Sequence, residues 1–109
     1  MTKEDKESLQ SKRLTASLIV ACLATCESVI SKNAYLEKKW YNCEKSYYGC
    51  YQYERLEWME YREKLRALLN NVYPMKVIIK MTKSCTNKAT EKAVKEVIDL
   101  INKKDYVLV

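Results

Sequence analysis

Tyr41, Lys45, Tyr48, Gln52, Arg55, Met59, Arg62 and Arg66 recur at spacings of four and three, so a helix would carry all of them on one flank. No acid interrupts the series, and it holds three of the chain's four arginines. Tyr, Met and Arg are enriched at protein interfaces because they bury large area and still satisfy polar partners. Arg and Tyr together can equally clamp phosphates and stack bases. The competing reading is that the tyrosines and Met59 pack under a neighbouring helix while the arginines pair with Glu37, Glu44 or Glu63.

A second set is purely cationic. Lys88, Lys92 and Lys95 align near the C-terminal end, and Lys76, Lys80 and Lys83 precede them. Lysine neutralises backbone phosphate without reading bases, which gives salt-sensitive, sequence-tolerant binding. Against this, Glu91 to Lys95 and Asp99 to Lys103 are favourable i,i+4 pairs of the kind found on any solvated helix.

Catalytic chemistry is poorly served. The chain has no His, which removes Ser-His and Cys-His pairs, and a single Gly, which removes Gly-rich phosphate loops. Glu54 sits near an apolar seam, but a lone carboxylate beside the only glycine reads more simply as a group reaching water. No cofactor or metal is expected, since four-thiolate zinc sites draw closely spaced cysteine pairs from loops. The five cysteines are Cys22, Cys26, Cys43, Cys50 and Cys85. If the chain reverses near Lys32, an antiparallel hairpin sets Cys22 opposite residues 42 to 43, and a Cys22–Cys43 disulfide becomes geometrically open. Free cysteines as small core residues are the alternative.

The elements that must position these groups follow from periodicity. With 48% hydrophobic residues, 31% charged, one Gly and one Pro, the 109 residues read as a single domain of long helices with few breakers. A first helix is expected from Thr2 to about Ile30, with Ile19, Leu23, Cys26 and Ile30 as its apolar stripe. Ser17, Ala21, Ala24 and Ser28 form a second stripe of small residues, offered here as a self-association face. Its uncharged run Leu14 to Cys26 spans only about 20 Å as a helix, against about 30 Å of bilayer core. Glu4, Asp5 and Glu7 spoil a signal-peptide n-region, so a buried core helix in a cytoplasmic protein with no membrane partner is expected.

Ser31, Lys32 and Asn33 read as the reversal. A second helix, Ala34 to about Asn70, then presents Trp40, Tyr47, Tyr51, Trp58, Leu65 and Leu69 as a packing seam facing the small residues of the first. Met75 to Met81 alternates as a strand; a helix opened by Pro74 with Val77, Ile78 and Met81 inward is the competing reading. An amphipathic helix capped by Thr86 or Asn87 runs to about Asn102, burying Ala93, Val94, Val97, Ile98 and Ile101, and "YVLV" closes as a strand. Two strands make a marginal sheet, which a second copy could complete.

The expected architecture is mainly α with an α+β element: a long antiparallel helical hairpin over residues 1–72, then a strand-helix-strand unit over 73–109, with an all-α bundle as the alternative. Net charge is +6. The functional expectation is a non-enzymatic helical interaction protein that forms a homo-oligomer and binds a protein partner through Tyr41, Lys45, Tyr48, Arg55, Met59, Arg62 and Arg66. Alternatives are a basic nucleic-acid-binding regulator using the lysine set, or a structural subunit of a viral or mobile-element assembly. The last rests on lysine far outnumbering arginine, a composition of A+T-rich genomes.

Overall fold

The computed structural model describes residues 13–41, 48–85 and 87–109, with Tyr48 described in its backbone only. The elements run β1 (Arg13–Leu14), α1 (Ala16–Trp40), α2 (Tyr48–Asn70), α3 (Met75–Ser84), α4 (Glu91–Lys103) and β2 (Val107–Leu108). The protein is mainly α-helical, with a two-stranded parallel sheet.

Helix α1 starts where Thr15, in extended conformation, accepts a 3.1 Å hydrogen bond from the Leu18 amide through Oγ1. That side-chain cap satisfies one of the orphan amides of the first turn. The expected start at Thr2 lies outside the described residues, and β1 interrupts the expected span at Arg13–Leu14. The expected reversal at Ser31 to Asn33 is also corrected: the helix continues to Trp40. None of the three residues is Gly or Pro, and Asn33 is buried with its Nδ2 donating to the Val29 carbonyl at 2.9 Å. The amide that was read as a cap for a new helix is instead consumed one turn back in the old one. The seven residues from Ala34 to Trp40 therefore belong to the first helix, with Lys38 and Lys39 in its last turn where the dipole favours cations.

The hairpin itself is present, with its first helix ending at Trp40 and its second beginning at Tyr48. Ion pairs mark the antiparallel register: Glu37 meets Arg55, and Glu27 meets Arg62 and Arg66, so a step back along α1 matches a step forward along α2. Between the helices lie Ile19, Cys22, Leu23, Cys26 and Val29 from α1 and Trp58, Leu65, Leu68 and Leu69 from α2, all buried. Trp58 stacks edge-on against Tyr61, ring centroids 5.2 Å apart at 70°. The aromatic seam thus holds along its C-terminal half, but it meets the apolar stripe of α1 and not the small-residue stripe.

Met75 to Ser84 is a helix, which corrects the strand reading. Pro74 is its N-cap, with φ −63°, and Ile78, Met81 and Cys85, spaced three and then four apart, turn toward the core. Alternation over seven residues does not separate the two periods: Met81 fits both, while Ile78, on the lysine face of a strand, is inward only in a helix, and Val77, inward in the competing reading, is 40% exposed. Thr90, three or four residues later than expected, caps α4 by accepting from Ala93 N at 3.1 Å, with Glu91 in the first turn. Val94, Val97 and Ile98 are buried as expected, and Ala93 and Ile101 half-buried. Lys104 takes a left-handed φ of 54° and ends the helix.

The closing strand forms, but its partner is the other end of the chain. β2 pairs in parallel with β1, Arg13 opposite Val107 and Leu14 opposite Leu108, and Val109 N donates to the Leu14 carbonyl at 3.0 Å. Leu14 is 1% exposed, which anchors the pairing in the core. The unit after the hairpin is thus helix-helix-strand, and the sheet needs no second copy to exist.

Candidate functional site

The arginine flank lies against α1. Arg55 donates through Nε and through Nη2 (3.3 Å) to the two carboxylate oxygens of Glu37, and its Nη1 lies 3.4 Å from Met59 Sδ. Glu37 is buried, with 11% of its side chain exposed, and Arg55 has 26%. Arg62 and Arg66 both reach one oxygen of Glu27, at 3.3 and 3.2 Å. Of the acids named in advance, Glu37 is used; Glu27 was the one sequence spacing missed, because it lies on the other helix 35 residues away. Met59 is half-buried and Tyr41 is 67% exposed. Lys45 and the ring of Tyr48 lie outside the described residues. The arrangement is a row of clamps joining α1 to α2, which spends on the fold most of the charge that the flank would offer to a partner.

The small-residue stripe has an occupant from its own chain. Ala89 N donates to the Ala21 carbonyl at 3.2 Å, Thr25 Oγ1 donates to the Ala89 carbonyl at 2.5 Å, and Lys88 Nζ reaches Ser28 Oγ at 3.3 Å. Ala21 and Ala24 are half-buried, while Ser17 and Ser28 remain exposed. Absence of bulk on this face lets the backbone of the α3–α4 connection come close. A pocket of about 260 Å³ remains between Ser17, Val20, Ala21 and the end of α3 at Met81, Ser84 and Cys85.

The lysine set divides in two. On α4, Lys92 and Lys95 stand among Glu91, Glu96 and Asp99, with Lys103 paired to Asp99 at 3.1 Å, an ordinary mixed surface. On α3, Lys76, Lys80 and Lys83 are all exposed and fall within an arc of about 60°, opposite the core-facing Ile78 and Met81. Among the described residues none of the three makes an ion pair. Met75, Val77 and Ile79 flank the ridge at 57%, 40% and 46% exposure. The sequence carries this signal: from Lys64 to Thr90 there is no acid, and the six cations of that stretch equal the chain's whole net charge of +6.

The Cys22–Cys43 bridge is corrected with the turn on which it depended. Cys22 lies mid-helix, eighteen residues or about 27 Å along the axis from Trp40, and its thiol is free; Cys43 lies outside the described residues. Cys22 and Cys26 are wholly buried in the core. Burial pushes the Cys22 thiol from 9.0 up to about 11. Cys26 goes to about 12, again chiefly by burial, with Cys22 beside it adding to the rise. Cys50 is exposed. Alkylation of the native protein at pH 8 is therefore expected to modify Cys50 first and Cys22 and Cys26 at least about a hundredfold more slowly, measured by mass spectrometry of quenched time points. Because folding holds both thiols protonated, stability from this source is complete below pH 9 and is lost as pH climbs through 9 toward 11 to 12. Chemical denaturation at pH 8 and pH 10.5 should show the fall, and C22A/C26A should flatten it.

Among the described residues no three His, Cys, Asp or Glu side chains gather as a metal site, and no helix is long and apolar enough to cross a membrane. Compared with known protein families, curated proteins and solved structures, the chain matches none.

Proposed function

We propose that this chain is a non-enzymatic helical interaction protein whose docking element is α3. The observation that carries the reading is the outward face of that helix: three exposed lysines without ion pairs, bordered on both sides by exposed Met75, Val77 and Ile79. Aliphatic side chains held in water beside a ridge of one charge suit a protein surface that is apolar and acidic together. Burial of the aliphatics supplies affinity, and charge orients the approach. A phosphate backbone would use the lysines and leave the aliphatics idle, and the arginines that could fork a phosphate are occupied by Glu27 and Glu37.

The nucleic-acid reading retains one favourable observation, the acid-free stretch from Lys64 to Thr90. It requires affinity for labelled duplex or single strands that falls by orders of magnitude between about 50 and 200 mM salt.

A photo-crosslinking residue at position 79, compared with one at position 99 on the mixed face of α4, tests the docking element in whole-cell extract. A discrete adduct from position 79 that K76E/K80E/K83E abolishes is the expected result. Equal labelling from both positions, or an adduct indifferent to the lysines, would overturn the assignment.

A further inference from the structure

On α2, the clamps gather Arg55, Arg62 and Arg66 on the side facing α1 and leave the opposite side to acids. Tyr53, Leu56, Glu57, Glu60 and Glu63 occupy an outward arc of about 120°. Tyr53 is 73% and Leu56 52% exposed, and the side chain of Glu60 is 69% exposed. Among the described residues Lys64 lies inside this arc, 3.8 Å from Glu60, and Lys95 shares a shallow hollow with Glu54 and Glu57. Glu57, Glu60 and Glu63 in the arc, with Glu54 beside it, outnumber those two lysines and leave the strip negative.

The two exposed faces are therefore counterparts. α3 offers cations flanked by aliphatic side chains, and α2 offers acids flanked by Leu56 and Tyr53. Their lengths also agree, about 10 Å from Lys76 to Lys83 and about 9 Å from Glu57 to Glu63. Resting on the reading of α3 as the docking element, we infer that its occupant is a second copy of this chain, the lysine ridge of one lying on the acidic strip of α2 in the other. Each copy carries one ridge and one strip, so a two-fold arrangement makes the contact twice and closes. Exposed ion pairs contribute little each. The aliphatic contacts hold the pair, and the charges select the face and speed the encounter.

The test is sedimentation equilibrium of the purified protein at about 50 mM and 500 mM salt, with two charge-reversed variants, K76E/K80E and E60K/E63K. Glu60 and Glu63 are chosen because the fold uses them least. The wild-type chain is expected to run above monomer mass at low salt, with a Kd at least about tenfold weaker at high salt as screening shortens the reach of the charges. Each variant alone should be monomeric, and an equimolar mixture should regain the associated mass. A wild-type chain of monomer mass at all concentrations to about 100 μM overturns the inference. So does association that persists in each variant alone, or a mixture that stays monomeric. If the purified chain is monomeric while the position-79 adduct still forms in extract, the docking helix stands and its occupant is another protein. If labelled nucleic acid binds the monomer through the same lysines, the occupant is phosphate.

Discussion

Trp58→Ala is expected to lower the free energy of unfolding by about 3–5 kcal/mol. The ring is 1% exposed and is the largest of the wholly buried side chains. It sits on the seam between α1 and α2 and supports Tyr61 edge-on at 5.2 Å. Truncation removes the transfer free energy of the indole and leaves a cavity that two long packed helices cannot close without shifting as rigid bodies. For a chain of this size that is a large part of a total of about 5–15 kcal/mol. Urea titration followed by circular dichroism gives the midpoint, and an unchanged slope would assign the loss to the native state. Tyr61→Phe is the control. It keeps the ring pair and removes only the hydroxyl that donates to Glu57, so it should cost no more than about 1 kcal/mol. A loss below about 1 kcal/mol for Trp58→Ala would mean that the indole is not packed as described.

Glu37→Ala is expected to cost about 2–3 kcal/mol, more than any other substitution of a charged residue here. The carboxylate receives two hydrogen bonds from Arg55 and both partners are substantially buried, so removing the acid leaves a cation with little water to replace it. The sign of the pair's own contribution is a separate matter, which a double replacement settles. Glu37→Met with Arg55→Met should recover most of the loss, because well-packed apolar side chains substitute for a partly buried ion pair at small cost. A double-mutant cycle in which the two single losses simply add would show that the groups do not interact. Glu27→Gln belongs to the same experiment. It leaves Arg62 and Arg66 adjacent without their shared acid, and Arg62 Nε, already buried without a hydrogen-bond partner among the described residues, gains nothing in exchange. Both glutamates lie outside the proposed association strip, so loss of stability and loss of association are separable readouts.

Most of what was legible in advance is periodic. Trp58, Leu65 and Leu69 read as one seam because 3.6-residue spacing does not depend on where a helix starts. Val94, Val97 and Ile98 were placed inward for the same reason. Helix ends were less legible. Ser31, Lys32 and Asn33 have turn-like side chains, yet Asn33 finds its partner one turn back and the helix passes through. That single misplacement carried the proposed Cys22–Cys43 bridge with it. Met75 to Met81 is ambiguous because Met75, Val77, Ile79 and Met81 satisfy a period of two while Val77, Ile78 and Met81 satisfy one of 3.6; core contact by Ile78 and Met81 decides it.

The surface groups divide along another line. Composition and spacing alone determined that this chain is mainly helical, that its first helix needs cover on more than one side, and that its excess charge is cationic and concentrated after residue 63. Those properties are local: they depend on which residue types recur at which intervals. Tertiary structure decided which charged groups remain available. The arginine flank, the more suggestive pattern in sequence, is held by Glu27 and Glu37 of the facing helix, and the small-residue stripe is approached at Ala21 by Ala89 and at Ser28 by Lys88 of the same chain, with Ser17 and Ser28 still exposed. The plainer lysines of α3 are the ones left in water. An ion pair across 18 or 35 residues forms only when two helices are set in register. That register comes from packing Trp58, Leu65 and Leu69 of one helix into a common core with Ile19, Cys22, Cys26 and Val29 of the other, not from any interval along the chain.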